Sequence, residues 1–507
     1  MPHLDHLLKY VRTGTAEGDR AFLRQAFITP EKMADLLGIE PGGMRILVGN
    51  KGMGKSAIVE WLQEVSRTRK LSCILLRPDN LDTGSLPASQ DVGALKRHFY
   101  ETLLRATCGQ IGSQLKGLLI GETAKLYQAA RVQGLTTDDF VQKSLSLLTA
   151  VATPVAKVDG VKLAKELTGT ASPNELIRAL NTQLLQTGSV FFLLIDDTDQ
   201  VASPSTPAHL NRIWALLLAV RRLAGECNSV RAIVTLRTEV WNRLTSESDG
   251  QRDQTDHLRG SKVALRATES LMENIVRRRL ELGARDAGIH GVDPYTVFFA
   301  SSKVILPTST AERTWDSFIV KSSRERPRDA IQLIKNMVDS AKKNNVNKMG
   351  SAEAADAMKT YSKERVDDLN NEFAPDCATI RQVIASFAEV QFEDNFENIR
   401  KHLRTIPAIT PVAIRGKTLQ TQSDEDAITI LALLHEAGFI NARVPDARMP
   451  KKFRHILFQD EPNFVALANW NAMQGATWEI HPAFRSFLLD AKKDAMARAQ
   501  VKHPVPK

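Results

Sequence analysis

The segment Gly49–Ser56 has the residue types and the spacing needed to hold a polyphosphate. Its pattern is Gly-x-x-x-x-Gly-Lys-Ser, and it lies between the short, mainly apolar run Arg45–Val48 and a helix-like run from Ala57 to Glu64. Glycines let backbone N–H groups close around phosphate oxygens, and a following helix directs the positive end of its dipole at the same anion. Lys55 would supply a cation for the β- and γ-phosphates, and the Ser56 hydroxyl would be a Mg²⁺ ligand. The predicted nucleotide contacts are Gly49, Asn50, Lys51, Gly52, Met53, Gly54, Lys55, Ser56 and Ala57.

A group of carboxylates follows a second apolar run. Val190–Ile195 contains six apolar residues in succession, and Asp196, Asp197 and Asp199 come directly after it. Such a run is typical of a strand that is buried on both faces of a parallel sheet, and ligands bind at the carboxyl ends of these strands. We expect Asp196 to hold Mg²⁺ through its water shell and Asp197 to orient or deprotonate the attacking water.

Further strands are predicted at Leu71–Leu76, Val230–Arg237 and Lys262–Leu265. Strands that alternate with helices over more than two hundred residues indicate an α/β fold, with a parallel sheet between two layers of helices. We expect one strand to lie between the phosphate-loop strand and the acidic strand, as in P-loop NTPases of the ASCE type. This order favours water-activating ATPases over nucleotide kinases. Arg237, at the end of its strand, would reach a γ-phosphate.

The order of phosphate loop, Asp-Asp strand and strand ending in Thr-x-Arg resembles the AAA+/STAND superclass of ATPases. The loop itself is similar to that of a group of bacterial P-loop ATPases with a GRKGxGKSA-like sequence, although this chain has Asn50 where that group carries arginine. The resemblance covers roughly residues 15 to 340. It implies ATP and Mg²⁺ as ligands, Arg237 as the sensor of the γ-phosphate, and a helical lid. By the same likeness Arg326, Pro327 and Arg328 of the lid would approach the adenine and the phosphates.

Two features depart from the AAA+ pattern. Asp197 stands where those proteins carry glutamate, so the general base would be one methylene shorter and hydrolysis is expected to be slow. The gap between the phosphate loop and the acidic strand is long, which implies an inserted helical unit at residues 91–186. The predicted partition is therefore a core at 1–268 that includes a helical lead-in and this insertion, a helical lid at 269–372, and a winged-helix-like domain at 373–507.

Composition is that of an ordinary globular protein with a basic excess. The 507 residues include 43% hydrophobic and 25% charged residues, and the formal net charge is +9. The four cysteines are widely scattered and form no zinc or disulfide pattern, which predicts a reducing cytoplasm. No apolar run is long enough to span a bilayer, so we expect no membrane partner.

The C-terminal module combines helical runs with short strands. Helical spacing occurs at 378–390, 395–403 and 424–437, and strands are predicted near 439–440, 453–458, 465–470 and 478–480. Helices followed by a β-hairpin indicate a winged helix. Its loop carries basic residues against the single acid Asp446, which permits two interpretations: a nucleic-acid contact, or a solvated loop on a protein–protein module. The second is favoured. The basic residues are Arg443, Arg448, Lys451, Lys452 and Arg454.

The remaining motifs narrow the function. Arg277-Arg278-Arg279 is interpreted as a solvated helix face rather than an arginine finger. The run Asn347–Gly350 lacks the aspartate of a guanine-recognising motif, which favours ATP over GTP. We interpret the chain as a Mg²⁺-dependent ATPase that acts as a nucleotide-gated assembly or signalling switch, with a homo-oligomer or an effector protein as partner. By analogy it would serve a bacterial response or anti-phage defence system. The alternative is a DNA-associated AAA+ initiator or loader, and a small-molecule kinase is disfavoured.

Overall fold

The computed structural model describes residues 2–81, 91–115, 121–136, 171–200, 208–246, 256–449 and 452–502. The chain forms two compact units. Thr29–Arg266 is the sheet unit, and Met1–Ile28 together with Ala267–Lys507 is the helical unit. No described helix combines the length and the apolar composition needed to cross a membrane.

The elements are as follows. The helices are α1 (Pro2–Tyr10), α2 (Leu23–Ala26), α3 (Met33–Leu37), α4 (Lys55–Thr68), α5 (Val92–Gly112), α6 (Glu122–Val132), α7 (Pro173–Thr187), α8 (Ala208–Glu226), α9 (Thr238–Ser246), α10 (Asp256–Arg259), α11 (Glu269–Asp286), α12 (Pro294–Phe298), α13 (Trp315–Ser322), α14 (Pro327–Lys343), α15 (Ser351–Phe373), α16 (Ile380–Ala385), α17 (Phe396–Ile409), α18 (Asp424–Glu436), α19 (Trp470–Gln474) and α20 (Pro482–Lys502). The strands are β1 (Met44–Val48), β2 (Ser72–Leu76), β3 (Phe191–Ile195), β4 (Val230–Leu236), β5 (Lys262–Ala264), β6 (Lys303–Ile305), β7 (Glu312–Thr314), β8 (Glu393–Asn395), β9 (Ala413–Ile414), β10 (Lys417–Thr418), β11 (Ile440–Pro445), β12 (Phe453–Ile456) and β13 (Thr477–Ile480). Short 3₁₀ turns lie at Pro78–Asn80, Thr198–Gln200, Ser386–Glu389 and Leu467–Asn469.

The sheet unit is built on a five-stranded parallel sheet with the order β2-β3-β4-β1-β5. Its central strands are almost wholly apolar because helices cover them: Phe191, Leu193 and Ile195 of β3 are fully buried. The acidic strand β3 is separated from the phosphate-loop strand β1 by β4, in the predicted place. The predicted fold class, an α/β P-loop NTPase sheet of the ASCE type, is confirmed by this strand order.

The predicted helical insertion contains α5, α6 and α7 in its described parts. Helices α5 and α6 lie in close contact at Gly112. A Cβ atom at this position would overlap the carbonyl oxygen of Leu126. Residues 116–120 and 137–170 of the predicted insertion lie outside the described residues.

The N-terminal segment packs in the helical unit, whereas the predicted partition placed it with the core. Leu4 and Leu7 of α1 are fully buried, and α1 lies so close to α11 that a Cβ at Gly283 would be 2.9 Å from Leu7 Cα. A buried ion pair also joins the two parts: Arg279 Nη2 lies 2.7 Å from Asp19 Oδ2. The periodicity of residues 1–28 does not indicate whether they pack in the helical unit or in the sheet unit.

The arginine triple of α11 is engaged within the helical unit. Arg277 pairs with Asp293 at 3.0 Å, and Arg278 donates to the carbonyl oxygen of Gln25 at 2.7 Å. Arg279 is buried and bonded to Asp19. The prediction of a solvated helix face therefore holds for Arg277, which is exposed, and is wrong for Arg279, which is buried.

The C-terminal part of the helical unit has a winged-helix arrangement. An antiparallel four-stranded sheet has the order β12-β11-β13-β8, and α17 and α18 lie between β8 and β11 along the chain. The β12 strand extends the wing by one strand. Residues 465–470, predicted as a strand, instead lead through the 3₁₀ turn Leu467–Asn469 into α19, since Asn469 bonds to the backbone at Asn463 and closes the loop.

The Asp19–Arg279 pair is expected to hold the N-terminal segment in place. Asp19→Ala leaves a buried guanidinium without its carboxylate, which should destabilise the helical unit by about 3 kcal/mol or more. Urea unfolding measures this loss, and limited proteolysis should show faster cleavage within the first 28 residues. Asp286→Ala removes the more exposed contacts with His6 and Lys9 and is the matched control. Equal effects of the two substitutions would contradict the assignment.

Candidate active site at the carboxyl edge of the sheet

The phosphate loop joins β1 to α4 and has left-handed backbone at two glycines. Gly52 has φ +83° and Gly54 has φ +92°, conformations that side chains with a Cβ adopt rarely. Gly54 precedes α4 without a side-chain cap, so the first N–H groups of the helix remain available to an anion. Lys55 Nζ donates to the carbonyl oxygens of Gly49 and Asn50 at 2.7 and 3.1 Å. The lysine thus already lies across the loop that it is predicted to serve.

Asp196 and Asp197 follow β3 and are both tied to Thr235 of β4. Asp196 is 1% exposed, and its Oδ1 accepts a hydrogen bond from Thr235 Oγ1 at 2.7 Å. The backbone N–H of Asp197 donates to the same hydroxyl oxygen at 3.1 Å. Asp197 has φ +52°, a left-handed conformation that is uncommon outside glycine. This conformation turns the chain sharply at the edge of the sheet.

Arg237 follows β4 and lies beside the phosphate loop. The N–H of Gly49 donates to the carbonyl oxygen of Leu236 at 3.2 Å, which fixes the end of β4 against the start of the loop. The Arg237 Nε atom lies 2.7 Å from Asp199 Oδ2, and its Nη1 lies 3.9 Å from Glu239. The Arg237 guanidinium is thus already paired with an acid.

The crowding of carboxylates changes the acidity of the site. Burial, together with the negative charges of Asp196 and Asp199, raises the pKa of Asp197 to about 6. Burial lowers the pKa of the Lys55 ammonium. Nearby carboxylates, above all that of Glu239, partly oppose this shift. A carboxylate with a pKa near 6 is suited to accept a proton close to neutral pH.

The acidic edge has a vacant acceptor that suits a hydrated cation. Asp196 Oδ2 is buried and has no hydrogen-bond partner among the described residues. Ser56 is the second residue of α4, next to Lys55. Within the described ranges, no group of three His, Cys, Asp or Glu residues is arranged to hold a metal by itself. A buried carboxylate oxygen without a partner and a hydroxyl group are oxygen donors of the kind that suit Mg²⁺, which keeps several waters and shares its coordination with phosphate oxygens.

The predicted lid residues belong to the helical unit. Pro327 is the first residue of α14 and Arg326 precedes it. Arg326 is buried and lies 3.6 Å from Glu372, so its charge is engaged within the unit. Arg328 is half-buried, and no ion pair or hydrogen bond of its side chain occurs among the described residues. Of the two arginines, Arg328 is the one whose charge remains available to a ligand.

Some residues of the site were not assigned a role from the sequence. Thr235 and Asp199 belong to the quoted motifs, and their polar character at strand ends was the available signal. Glu60 of α4 is buried and pairs with Arg77, which follows β2, at 2.5 Å. No sequence signal indicated that pair, because the partners come from different elements.

The basic loop of the winged helix is largely paired with acids of the same module. Arg443 lies 2.9 Å from Glu393, and Arg454 lies 2.9 Å from Glu461. Arg448 pairs with Asp446 at 3.1 Å, but its side chain is 89% exposed. Lys452 is exposed, and Lys451 lies outside the described residues. Only Arg448 and Lys452, among the described members of the set, present an exposed cation at the tip of the wing.

The helix that a helix-turn-helix protein inserts into the DNA major groove corresponds here to α18. Its first three residues are Asp424, Glu425 and Asp426, and it contains no lysine or arginine. Most of its apolar residues are buried. These acids are paired with Arg400, Arg404 and Lys417 of the same module. Because α18 contains no lysine or arginine, it offers none of the cationic donors that contact base edges most often.

Comparison with known families and structures gives partial likenesses. Residues 270–370 match the FunZ-associated C-terminal helical domain, a range that coincides with α11 to α15. Comparison with curated proteins gives no match. The chain is similar to the ORC2 protein of Aeropyrum pernix in its ADPNP-ADP complexes, with 11% identity, 95% of this chain and 94% of that chain covered, and a TM-score of 0.38.

Two further solved structures show the same degree of likeness. A Walker-type ATPase of Pyrococcus abyssi is 12% identical over 92% of this chain and 94% of its own, with a TM-score of 0.39. The Aeropyrum pernix ORC1 protein in complex with DNA is 13% identical over 94% and 95%, with a TM-score of 0.34. All three TM-scores are below 0.5, so the fold assignment rests on the strand order and the phosphate loop of the chain itself.

The raised pKa of Asp197 makes this carboxylate a source of instability in the protein without nucleotide. Between pH 3.8 and about 6 the folded protein keeps a proton that the unfolded chain releases, so folding stability falls as the pH rises through this window. Asp197→Asn has no charge to lose, and asparagine tolerates the left-handed conformation. At pH 7.5 the variant should be more stable by about 1–2 kcal/mol, after allowance for partial exposure. The difference should vanish below about pH 4.

Thermal unfolding across pH 4 to 8 measures this effect. Asp35→Asn alters an exposed acid of the same unit and should show no gain that grows with pH. A lower melting temperature of Asp197→Asn at pH 7.5 would show that the carboxylate is stabilised rather than strained.

Proposed function

We propose that the chain binds ATP with Mg²⁺ and hydrolyses it slowly at the carboxyl edge of the parallel sheet. The observation that supports this most strongly is the convergence of three strand ends. Lys55 follows the loop after β1, Asp196 and Asp197 follow β3, and Arg237 follows β4. Thr235 bonds to both aspartates and Leu236 bonds to Gly49, so the three ends are held together by short contacts.

Each residue has a distinct role in this proposal. Lys55 would leave its two carbonyl partners to contact the β- and γ-phosphates, while the N–H groups of Gly52, Gly54 and the first turn of α4 cradle them. The loop contacts Asn50, Lys51, Met53 and Ala57 line the same segment. Mg²⁺, when bound, would neutralise phosphate charge, with Ser56 and the vacant oxygen of Asp196 as its protein-side contacts.

Asp197 would orient the attacking water and take its proton. Its raised pKa keeps it close to the proton affinity needed at neutral pH, and its backbone N–H bond to Thr235 fixes its position. The aspartate side chain is one methylene shorter than glutamate, and this geometry supports slow turnover. Slow turnover is typical of switches, in which the bound state persists long enough to be recognised.

The helical unit would supply the lid. Pro327 and Arg328, at the start of α14, are the proposed contacts to the base and the phosphates, whereas Arg326 holds the loop through Glu372. Closure of such a lid on ATP, and its release on ADP, would change how the unit meets a second copy or an effector protein. We propose a place in a bacterial response or anti-phage defence system by analogy with the sequence resemblance alone.

The second candidate function is a DNA-associated ATPase of the initiator or loader class. The observation in its favour is the exposed tip of the wing, where Arg448 and Lys452 project beside Met449. Because α18 is largely buried and carries no lysine or arginine, nucleic acid would be contacted through the phosphate backbone by the wing and not read through the major groove. Binding of this kind would be independent of sequence.

Two substitutions separate nucleotide binding from hydrolysis. Lys55→Ala removes the mobile cation of the loop and should weaken ATP binding by about a hundredfold or more. Asp197→Asn should retain ATP affinity within about threefold and slow hydrolysis by about a hundredfold, since an amide cannot accept the proton. Calorimetric titration with ATP and Mg²⁺ measures affinity, and phosphate release measures turnover. An equal loss of affinity in both variants would show that the roles are assigned wrongly.

Salt-dependent binding tests the second candidate. If the wing tip contacts DNA, Arg448→Gln with Lys452→Gln should flatten the slope of log affinity against log salt by about two units, and equally on unrelated sequences. Arg443→Gln is the matched control because that arginine is already paired with Glu393. Fluorescence anisotropy of the full chain with duplex and single-stranded DNA provides the measurement. Failure of the parent to bind either near 150 mM salt would remove the DNA-associated candidate.

A further inference from the structure

Asp199 has so far been described only as a negative charge near Asp197, yet it also contacts the proposed sensor. It lies in the 3₁₀ turn that follows the acidic pair, it is 7% exposed, and its Oδ2 is 2.7 Å from Arg237 Nε. Arg237 is more accessible, with 26% of its side chain exposed. A buried acid therefore holds one edge of a partly exposed guanidinium beside the phosphate loop.

The geometry leaves the other edge of the fork for a ligand. A guanidinium carries five N–H donors in a planar fork, of which Nε provides one. Asp199 engages the Nε side, and Glu239 lies 3.9 Å from Nη1, beyond hydrogen-bond distance. The terminal nitrogens are thus the donors with which Arg237 would meet a phosphate. Two such donors suit the paired oxygens of a phosphate group.

We propose that Asp199 is a positioning residue for discrimination between ATP and ADP. By holding Nε, it fixes the Arg237 fork so that the terminal nitrogens face the γ-phosphate before the nucleotide arrives. Without this contact the arginine would regain its rotamer freedom in water, and ATP binding would have to order it again. The inference rests on the proposed ATP-binding function and on Arg237 as the sensor.

Asp199 depends on Arg237 as much as Arg237 depends on Asp199. Arg237→Ala would leave Asp199 as a buried carboxylate without its cation, so that substitution alone mixes loss of the sensor with damage to the site. Arg237→Gln keeps a hydrogen-bond donor for Asp199 and removes the charge. A comparison of single and double substitutions therefore separates positioning from stability.

The test compares affinities of the full chain for a non-hydrolysable ATP analogue and for ADP, both with Mg²⁺, by calorimetric titration. Asp199→Ala should lower the preference for the ATP analogue about tenfold and leave ADP affinity within about threefold. Asp199→Asn should retain part of the preference, because its amide oxygen still accepts from Nε. Adding Asp199→Ala to Arg237→Gln should cause no further loss. Asp35→Ala, in an exposed pair of the same unit, is the control.

The other outcomes each overturn a defined statement. A parent that binds neither nucleotide overturns the proposed function, and the inference with it. If Arg237→Gln abolishes the preference but neither Asp199 variant reduces it, the function stands and the positioning role is wrong. An equal loss of ATP-analogue and ADP affinity in Asp199→Ala would show a purely structural residue. A gain in preference for the ATP analogue would show that Asp199 competes with the phosphate for Arg237.

Discussion

One hydroxyl group, that of Thr235, joins the two strands on which the site depends. It donates to the Asp196 carboxylate and accepts from the backbone N–H of Asp197, so β3 and β4 end in a fixed relation to each other. Next to it, the Leu236 carbonyl accepts from Gly49 and fixes β4 to the phosphate loop. A change at this position would move the acid pair and the loop relative to each other, and the donors and acceptors of the site would no longer converge.

Much of the sheet unit could be predicted from the sequence because its signals are local. An apolar run ending in two aspartates and a glycine-rich loop before a helix each specify an element, and parallel pairing brings their ends to one edge. The pairings across elements could not be predicted. One such pairing is that of Asp199 with Arg237. Two others are Glu60 with Arg77, which are 17 positions apart, and Asp19 with Arg279, which are 260 positions apart. Packing geometry decides which residues pair, and the sequence contains many other acidic and basic residues that could have been the partner in each case.

The basic excess of the chain illustrates how composition and surface differ. A net charge of +9 suggests a polyanion partner, but the arginines that contribute to it are often bound to acids of their own unit. Arg443, Arg454 and Arg279 are examples. In the winged helix, α18 begins with acidic residues, whereas a helix that reads DNA would carry basic residues there. The fold of that module therefore indicates less about its ligand than the identity of its exposed side chains does.

The loop before α14 has a consequence for any attempt to divide the helical unit. Arg324 and Glu325 both have left-handed backbone, and Arg324 shares the buried Asp329 with Arg365. The Arg324 guanidinium also lies over the Phe484 ring of α20, and the Phe487 N–H donates to Ser362 of α15. A fragment ending at residue 372 would uncover this cluster of two cations and one anion and remove its aromatic wall. We therefore expect the helical lid at 269–372 and the winged helix to unfold together, although the sequence indicates a boundary between them.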